Sequence, residues 1–356
     1  MRDIVSDLDG WQREGKSIAL ATVIQTWGSS PRRVGAKMGL TSDGRISGSV
    51  SGGCVENAVY EAGLDSLKTN RPQLLHFGVA DETAWEVGLA CGGSIDIFVK
   101  PLDANIYSAL YSTLIEEGSA VLATVVRGPG EILGREFLIQ EDGNTTGTLG
   151  NEWNEMVLKL AGHFLANGTS HRAMLNENVE VFLEAFLPPP ALIIVGGVHI
   201  AITLVSLAKT LGYRTIMIDP RKRWGNVERF PRVDQLIQAW PYEAFGQIKL
   251  TRATAITMLT HDPKLDDPAL NIALSSPAFY VGALGSKKTH AKRRERLLKD
   301  GLTELQLSRL HAPIGLDINA QSPEEIALAI MAEIVDAYRK QEPPEVKVEA
   351  DLHQAV

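Results

Sequence analysis

Cysteine is scarce in this chain: Cys54 and Cys91 are the only two among 356 residues. Two thiols cannot build a disulfide framework, so the fold must rest on its own cores. Basic excess is missing too. A net charge of −8 leaves no domain able to neutralise a run of phosphates, which excludes broad nucleic-acid binding. The opening MRDIVSDLDGWQ is acidic and polar, unlike a signal or transit peptide, so the expected setting is the reducing cytoplasm. One uncharged stretch, ALIIVGGVHIAITLVSLA (191–208), has the length of a membrane span. Gly196, Gly197 and His199 interrupt it and favour a buried strand turning into a buried helix. No membrane partner is expected.

What is present divides at LPPPAL (187–192), where three prolines exclude both helix and central strand. The expected domains are 1–187 and 188–340, with a charged, proline-containing tail over 341–356. Before the linker the text runs twice, over about 17–101 and 119–186. ALATVI answers VLATVV, Asp43-Gly44 answers Asp142-Gly143, Gly48 answers Gly147, and IDIFVKP answers VEVFLEA. Each copy reads as strand, hairpin through an Asp-Gly turn, helix and closing strand. Features found twice are those the fold demands. GSSPRR (28–33), the cysteine of SGGC and all of GLACGG (88–93) occur once, so chemistry in this half belongs to copy one.

Cys54 follows Gly52-Gly53 and precedes a run with apolar Val55, Ala58, Val59 and Ala62 at helical spacing. A thiol at a helix mouth lies near unpaired N–H groups that favour the thiolate, and glycine leaves room for a ligand. Cys91 has a matching Gly92-Gly93 turn. The bland alternative, a small buried apolar residue, stays open for each. Ser30, Arg32 and Arg33 offer a hydroxyl and two guanidiniums suited to a phosphate or carboxylate, or else form a solvated turn.

After the linker, strands and helices alternate as in a doubly wound parallel sheet. The fold class is therefore α/β: an N-terminal α/β domain with a loose internal duplication, followed by a Rossmann-like domain. Gly196-Gly197 opens its first turn and Asp219 ends its second strand, where a ribose-binding acid would sit. Val198 stands at the place of the second fingerprint glycine and would hold a diphosphate off, which weakens NAD(P) as a cofactor. Further strands are expected over 254–260, 278–284 and 311–318. His261, beside Asp262, Asp266 and Asp267, follows the first of these as an acid/base or metal candidate. Gly282, Gly285, Ser286 and Lys287 make a candidate anion cradle. The KRRER run beyond reads as a solvated helix face. SPEE (322–325) is a helix start with a capping box.

GSSPRRVGAKM, GSVSGGCVENAV and GLACGG resemble the amino-terminal region of the XdhC/CoxI family. LTHDPKLDDPAL, YVGALGSKKTHAKRRERL and RLHAPIGLDINAQSPEEIALAI resemble that family's carboxy-terminal Rossmann domain. The resemblance covers most of residues 10–335. It implies an accessory chaperone rather than a stand-alone catalyst. Such a protein binds molybdenum cofactor (molybdopterin), assists its sulfuration and inserts it into a xanthine dehydrogenase-type molybdenum hydroxylase. It implies Cys54 and Cys91 as metal or sulfur ligands, with His261, Asp262 and the GALGSKK loop as further cofactor contacts. The implied partners are the hydroxylase apo-enzyme and a cysteine desulfurase, and a homodimer is the expected state. The family more usually shows a GAGHVA-like turn where this chain has GGVHIA. Two alternatives stay open: an NAD(P)-dependent oxidoreductase, and a regulatory nucleotide sensor.

Overall fold

A computed structural model describes residues 1–30, 32–53, 55–78 and 93–341. The chain forms two compact units, one built on Met1–Pro188 and one beginning at Pro189.

The first unit contains one motif twice. Copy one runs α1 (Val5–Arg13), β1 (Ile18–Trp27), β2 (Lys37–Thr41), β3 (Ile46–Gly48), α2 (Glu56–Thr69), β4 (Gln73–Phe77) and β5 (Ser94–Pro101). Copy two runs α3 (Ala104–Ile115), β6 (Ala120–Arg127), β7 (Glu136–Gln140), β8 (Thr145–Gly147), α4 (Asn151–Asn167), β9 (His171–Met174) and β10 (Glu180–Phe186). Each yields a five-stranded antiparallel sheet, in the equivalent orders β3-β2-β1-β5-β4 and β8-β7-β6-β10-β9. The glycines that match in sequence match in physical need. Gly48 and Gly147 have φ of 80° and 82°, and a Cβ on either would lie 2.3 or 2.4 Å from the carbonyl oxygen of Lys37 or Glu136.

Between the sheets the copies differ in charge. Thr22 pairs with Lys37 and Phe98, and Leu20 with Lys100. At the corresponding places Thr124 pairs with Glu136 and Phe182, and Leu122 with Glu184. Lys37 and Lys100 thus answer Glu136 and Glu184. The ion pairs run across: Lys37–Glu184 at 2.7 Å and Lys100–Glu136 at 2.6 Å, all four side chains largely buried. Ile24, Val126, Phe98 and Phe182 pack between the same sheets as two equivalent pairs. The cavity there holds about 30 Å³, space for water and not for a cofactor. One copy supplies both cations and the other both anions, so pairing of unlike copies is favoured over pairing of like ones.

The second unit holds β11 (Ala191–Val195), α5 (His199–Thr210), β12 (Arg214–Ile218), β13 (Gln235–Ile237), α6 (Pro241–Phe245), β14 (Thr254–Met258), α7 (Pro263–Ser275), β15 (Tyr280–Ala283), α8 (Lys287–Lys299), α9 (Glu304–Leu307), β16 (Leu310–His311) and α10 (Pro323–Lys340). The strands form a six-stranded parallel sheet in the order β13-β12-β11-β14-β15-β16, the Rossmann order. Alternate strand residues enter opposite cores. Ile193, Val195, Ile216 and Ile256 face α7, while Leu192, Ile194, Met217 and Ala255 face α5 and α10. The uncharged stretch over 191–208 is therefore β11, a glycine turn and most of α5. No helix among the described residues is long and apolar enough to cross a membrane. Both halves of the capping box form at Ser322 and Glu325. The last strand is much shorter than its expected 311–318, because Pro313 has no N–H to carry the ladder on.

The crossed charges yield a stability prediction. Lys37→Glu should cost about 3–5 kcal/mol in urea unfolding, because it places two carboxylates together inside the unit. The charge swap Lys37→Glu with Glu184→Lys should recover most of that loss. Equal losses in the single and double variants would show that the pairing is incidental.

Candidate functional site

In copy one, the segments absent from copy two come together. A Cβ on Gly93, the last residue of GLACGG, would lie 2.3 Å from the Ser29 carbonyl oxygen, so the backbones touch. Ser30 Oγ donates to the Arg32 carbonyl (2.8 Å), and Arg32 Nε donates to the Ser49 carbonyl (3.0 Å). Arg32 also lies 3.6 Å from Asp3, while Arg33 is exposed. Cys54 and Cys91 lie outside the described residues, as does Gly92.

Glu56, which sequence reasoning passed over, ties this cluster. Its carboxylate accepts from the hydroxyls of Ser49 (2.7 Å) and Ser51 (2.5 Å) and from the N–H groups of Ser51 (2.9 Å), Gly52 (3.0 Å) and Gly53 (2.8 Å). Partial burial opposes its ionisation, but the bonds from Ser51 and Ser49 outweigh that and hold its pKa down at about 2. Gly52 and Gly53 have φ of 80° and 118°, which glycine adopts without strain. Their N–H groups, expected from sequence to be unpaired and to favour a thiolate, are already donated to Glu56. Copy two shows the fold's minimum requirement. There Asn154 accepts from the Leu149 N–H (2.9 Å) and donates to Thr148 Oγ1 (2.9 Å). A neutral amide closes that loop, where copy one uses the Glu56 carboxylate.

In the second unit, the glycine turn after β11 is closed by the chain itself. Gly197 donates its N–H to Asp219 (2.8 Å), and a Cβ on Gly197 would lie 2.6 Å from the Trp224 carbonyl oxygen. Asp219 is completely buried and also binds the Arg221 guanidinium, at 2.9 and 2.7 Å. Burial opposes its charge, yet Arg221 and the Gly197 N–H hold the carboxyl below its usual range. Arg229 caps the Gly197 carbonyl and stacks, with Arg221, on Trp224. Val198 turns its N–H back to the Gly196 carbonyl (2.9 Å). Gly197, Val198 and Asp219, which lie where a diphosphate and a ribose would bind, are therefore bonded to the chain itself.

The acids after β14 are spent as well. Asp262 caps α7 through the Lys264 N–H (3.0 Å), and Asp267 forms a two-point pair with Arg296 (2.5 and 3.0 Å). Asp266 is buried between Thr260 and Arg293, and burial raises its pKa to about 6. No group of three or more potential metal ligands occurs among the described residues. Gly282 lies within β15, packed against Ile314 and Tyr280, so it does not belong to a cradle. Gly285 carries φ of 148°, Ser286 caps α8 through the Thr289 N–H (3.2 Å), and Lys287 is exposed. His261 instead faces an open pocket of about 180 Å³ whose other wall is α8, through Lys288, Lys292, Arg293 and Arg296. The run read as a solvated face thus contributes a pocket wall. Only the contact of Arg293 with Asp266, distant in sequence, reveals this.

These features define a class: a duplicated antiparallel unit followed by a Rossmann unit whose dinucleotide position is filled by its own chain. The model of the XdhC Rossmann domain matches residues 192–334, and that of the XdhC and CoxI family matches residues 11–78. The chain belongs to the XdhC/CoxI family. It is 28% identical to a probable xanthine dehydrogenase subunit from Bacillus subtilis, over 94% of this chain and 97% of that one. Identity to the molybdenum cofactor insertion chaperone PaoD of Escherichia coli is 27%, over 92% and 86%. A crystal structure described as a xanthine dehydrogenase from Bacillus halodurans superposes with a TM-score of 0.77 at 25% identity, covering 96% of this chain and 98% of that one.

The Glu56 tie sets a pH dependence. Its pKa falls from 4.5 to about 2 on folding, so its stabilisation is complete above pH 4.5 and is lost as pH drops toward 2. Allowing for solvent screening, Glu56→Gln should cost about 1 kcal/mol at neutral pH and nothing near pH 2. Thermal unfolding across that range measures it. A difference between the two proteins that does not change with pH would contradict the charged tie.

Proposed function

We propose that this protein binds the molybdenum cofactor, assists its sulfuration and inserts it into a xanthine dehydrogenase-type molybdenum hydroxylase. The observation that carries the reading is the closed turn after β11. A Rossmann unit that spends Gly197 and Asp219 on its own Arg221 loop is not arranged for hydride transfer to or from a nicotinamide. The oxidoreductase alternative is accordingly not favoured, and the name of the Escherichia coli relative supports the chaperone reading.

In this reading the cofactor is cargo. Cys54 and Cys91, the only thiols, would meet the soft metal centre or its sulfur. Arg32 and Arg33, on the loop that Ser30, Ser49 and Glu56 hold in place, would draw in the anionic end of the cofactor. The protein would work in the cytoplasm as a homodimer, meeting a hydroxylase apo-enzyme and a cysteine desulfurase in turn.

The test is molybdenum and pterin content after incubation with free cofactor and gel filtration. Wild type should retain both stoichiometrically, and Cys54→Ala and Cys91→Ala should lose most of the molybdenum. A wild type that retains neither would overturn the chaperone reading. Equal retention by all three proteins would remove the thiols from it.

A further inference from the structure

We propose that the pocket between the turn after β14 and the exposed face of α8 binds the phosphate group of a phosphate monoester. The inference rests on the chaperone reading only for the ligand's identity, since the anion site is argued from its own residues.

Charge is the first argument. Lys288, Lys292 and Arg296 recur every four residues along α8 and line one side of the pocket, with His261 opposite. Like charges at this spacing repel one another and destabilise a helix. Asp267 neutralises Arg296, but neither Lys288 nor Lys292 has a carboxylate partner among the described residues. An anion bridging both ammonium groups would turn that repulsion into attraction.

Arg293 supplies the second argument. It is only 2% exposed although it lines the pocket. Its Nη2 donates to Asp266 (2.8 Å), and its Nη1 donates to the Leu284 carbonyl (3.2 Å) and to His290 Nδ1 (3.0 Å). Burial and the nearby Arg293 lower the pKa of His290, which keeps that nitrogen an acceptor, while its Nε2 bonds to the Gly285 carbonyl. The guanidinium is therefore rigidly held, yet its Nε is buried with no partner. An unmet buried donor costs about 1–3 kcal/mol, a cost the fold carries at the wall of this pocket.

Size and surroundings agree. A volume of about 180 Å³ equals several waters, at about 30 Å³ each in the liquid, and accommodates a phosphate with the carbon that bears it. The carboxylate within reach, Asp266, is turned onto Thr260 and Arg293 and does not fill the space. Thr289 adds a hydroxyl at the rim. The start of α8, capped by Ser286, adds the favourable end of a helix dipole.

Calorimetric titration of the full-length protein with inorganic phosphate tests the site. Wild type should bind saturably, and Lys288→Glu/Lys292→Glu should bind at least tenfold more weakly, since a hydrogen bond to a charged group contributes about 1.5–3 kcal/mol. Lys299→Glu, on the same helix but outside the pocket, should match wild type. Circular dichroism confirms that each variant folds. No saturable binding by wild type, or equal weakening in the Lys299 variant, would overturn the site. Repeating the titrations with a nucleoside monophosphate and with the pterin cofactor separates the two sources of phosphate. Cofactor retention lost with phosphate binding assigns the pocket to the pterin. Phosphate and nucleotide binding by a wild type that retains no molybdenum leaves the pocket standing while the chaperone reading falls.

Discussion

Asp219, a carboxylate without solvent contact, fixes what the second unit can do. Its oxygens are shared between the Gly197 N–H and the Arg221 guanidinium, and that sharing pulls the loop after β12 over the glycine turn. Unpairing it would leave a buried charge, which is far costlier than the pair is stabilising. The sheet nevertheless keeps its open edge, and the ligand-accessible crevice moves along that edge to the turns after β14 and β15. Here the usual ligand position has become part of the core, and the next strand ends carry the cations.

The first unit follows a similar logic through duplication. Two copies of one motif keep the glycines and sheet order that packing requires, while the charges between them are sorted so that only unlike copies match. With the fold held in this way, copy one can carry additions that copy two lacks. Those additions touch one another: Gly93 meets Ser29, Arg32 meets Ser49, and Glu56 binds the glycine loop. A carboxylate replaces the amide that closes the equivalent loop of copy two, and it gathers the N–H groups of Ser51, Gly52 and Gly53.

Much of the fold was legible because its demands are local. Glycine at 48 and 147 is dictated by one turn, the capping box at Ser322 by one helix end, and the β11–α5–β12 unit by unbroken apolar strands. Short or edge elements were not legible. β4 and β9 are short edge strands with His76 and Arg172 in them, and α1 buries only Val5, Leu8 and Trp11 along its length. The site was harder to read for another reason. Nothing near Asp219 in sequence shows that Gly197 will claim it, and nothing in KRRER shows that Arg293 will be buried on Asp266. The choice between a binding acid and an internal lock is made by tertiary partners.

A fluorescence titration with NADH and NADPH against the purified protein tests the account most directly. If Asp219 and Arg221 close the turn as described, NADH should give no saturable change in nicotinamide emission, and NADPH should give none that free phosphate does not compete away. Saturable micromolar binding of NADH, which has no phosphate monoester for the α8 pocket, would mean that the turn opens to a dinucleotide, and would contradict the account.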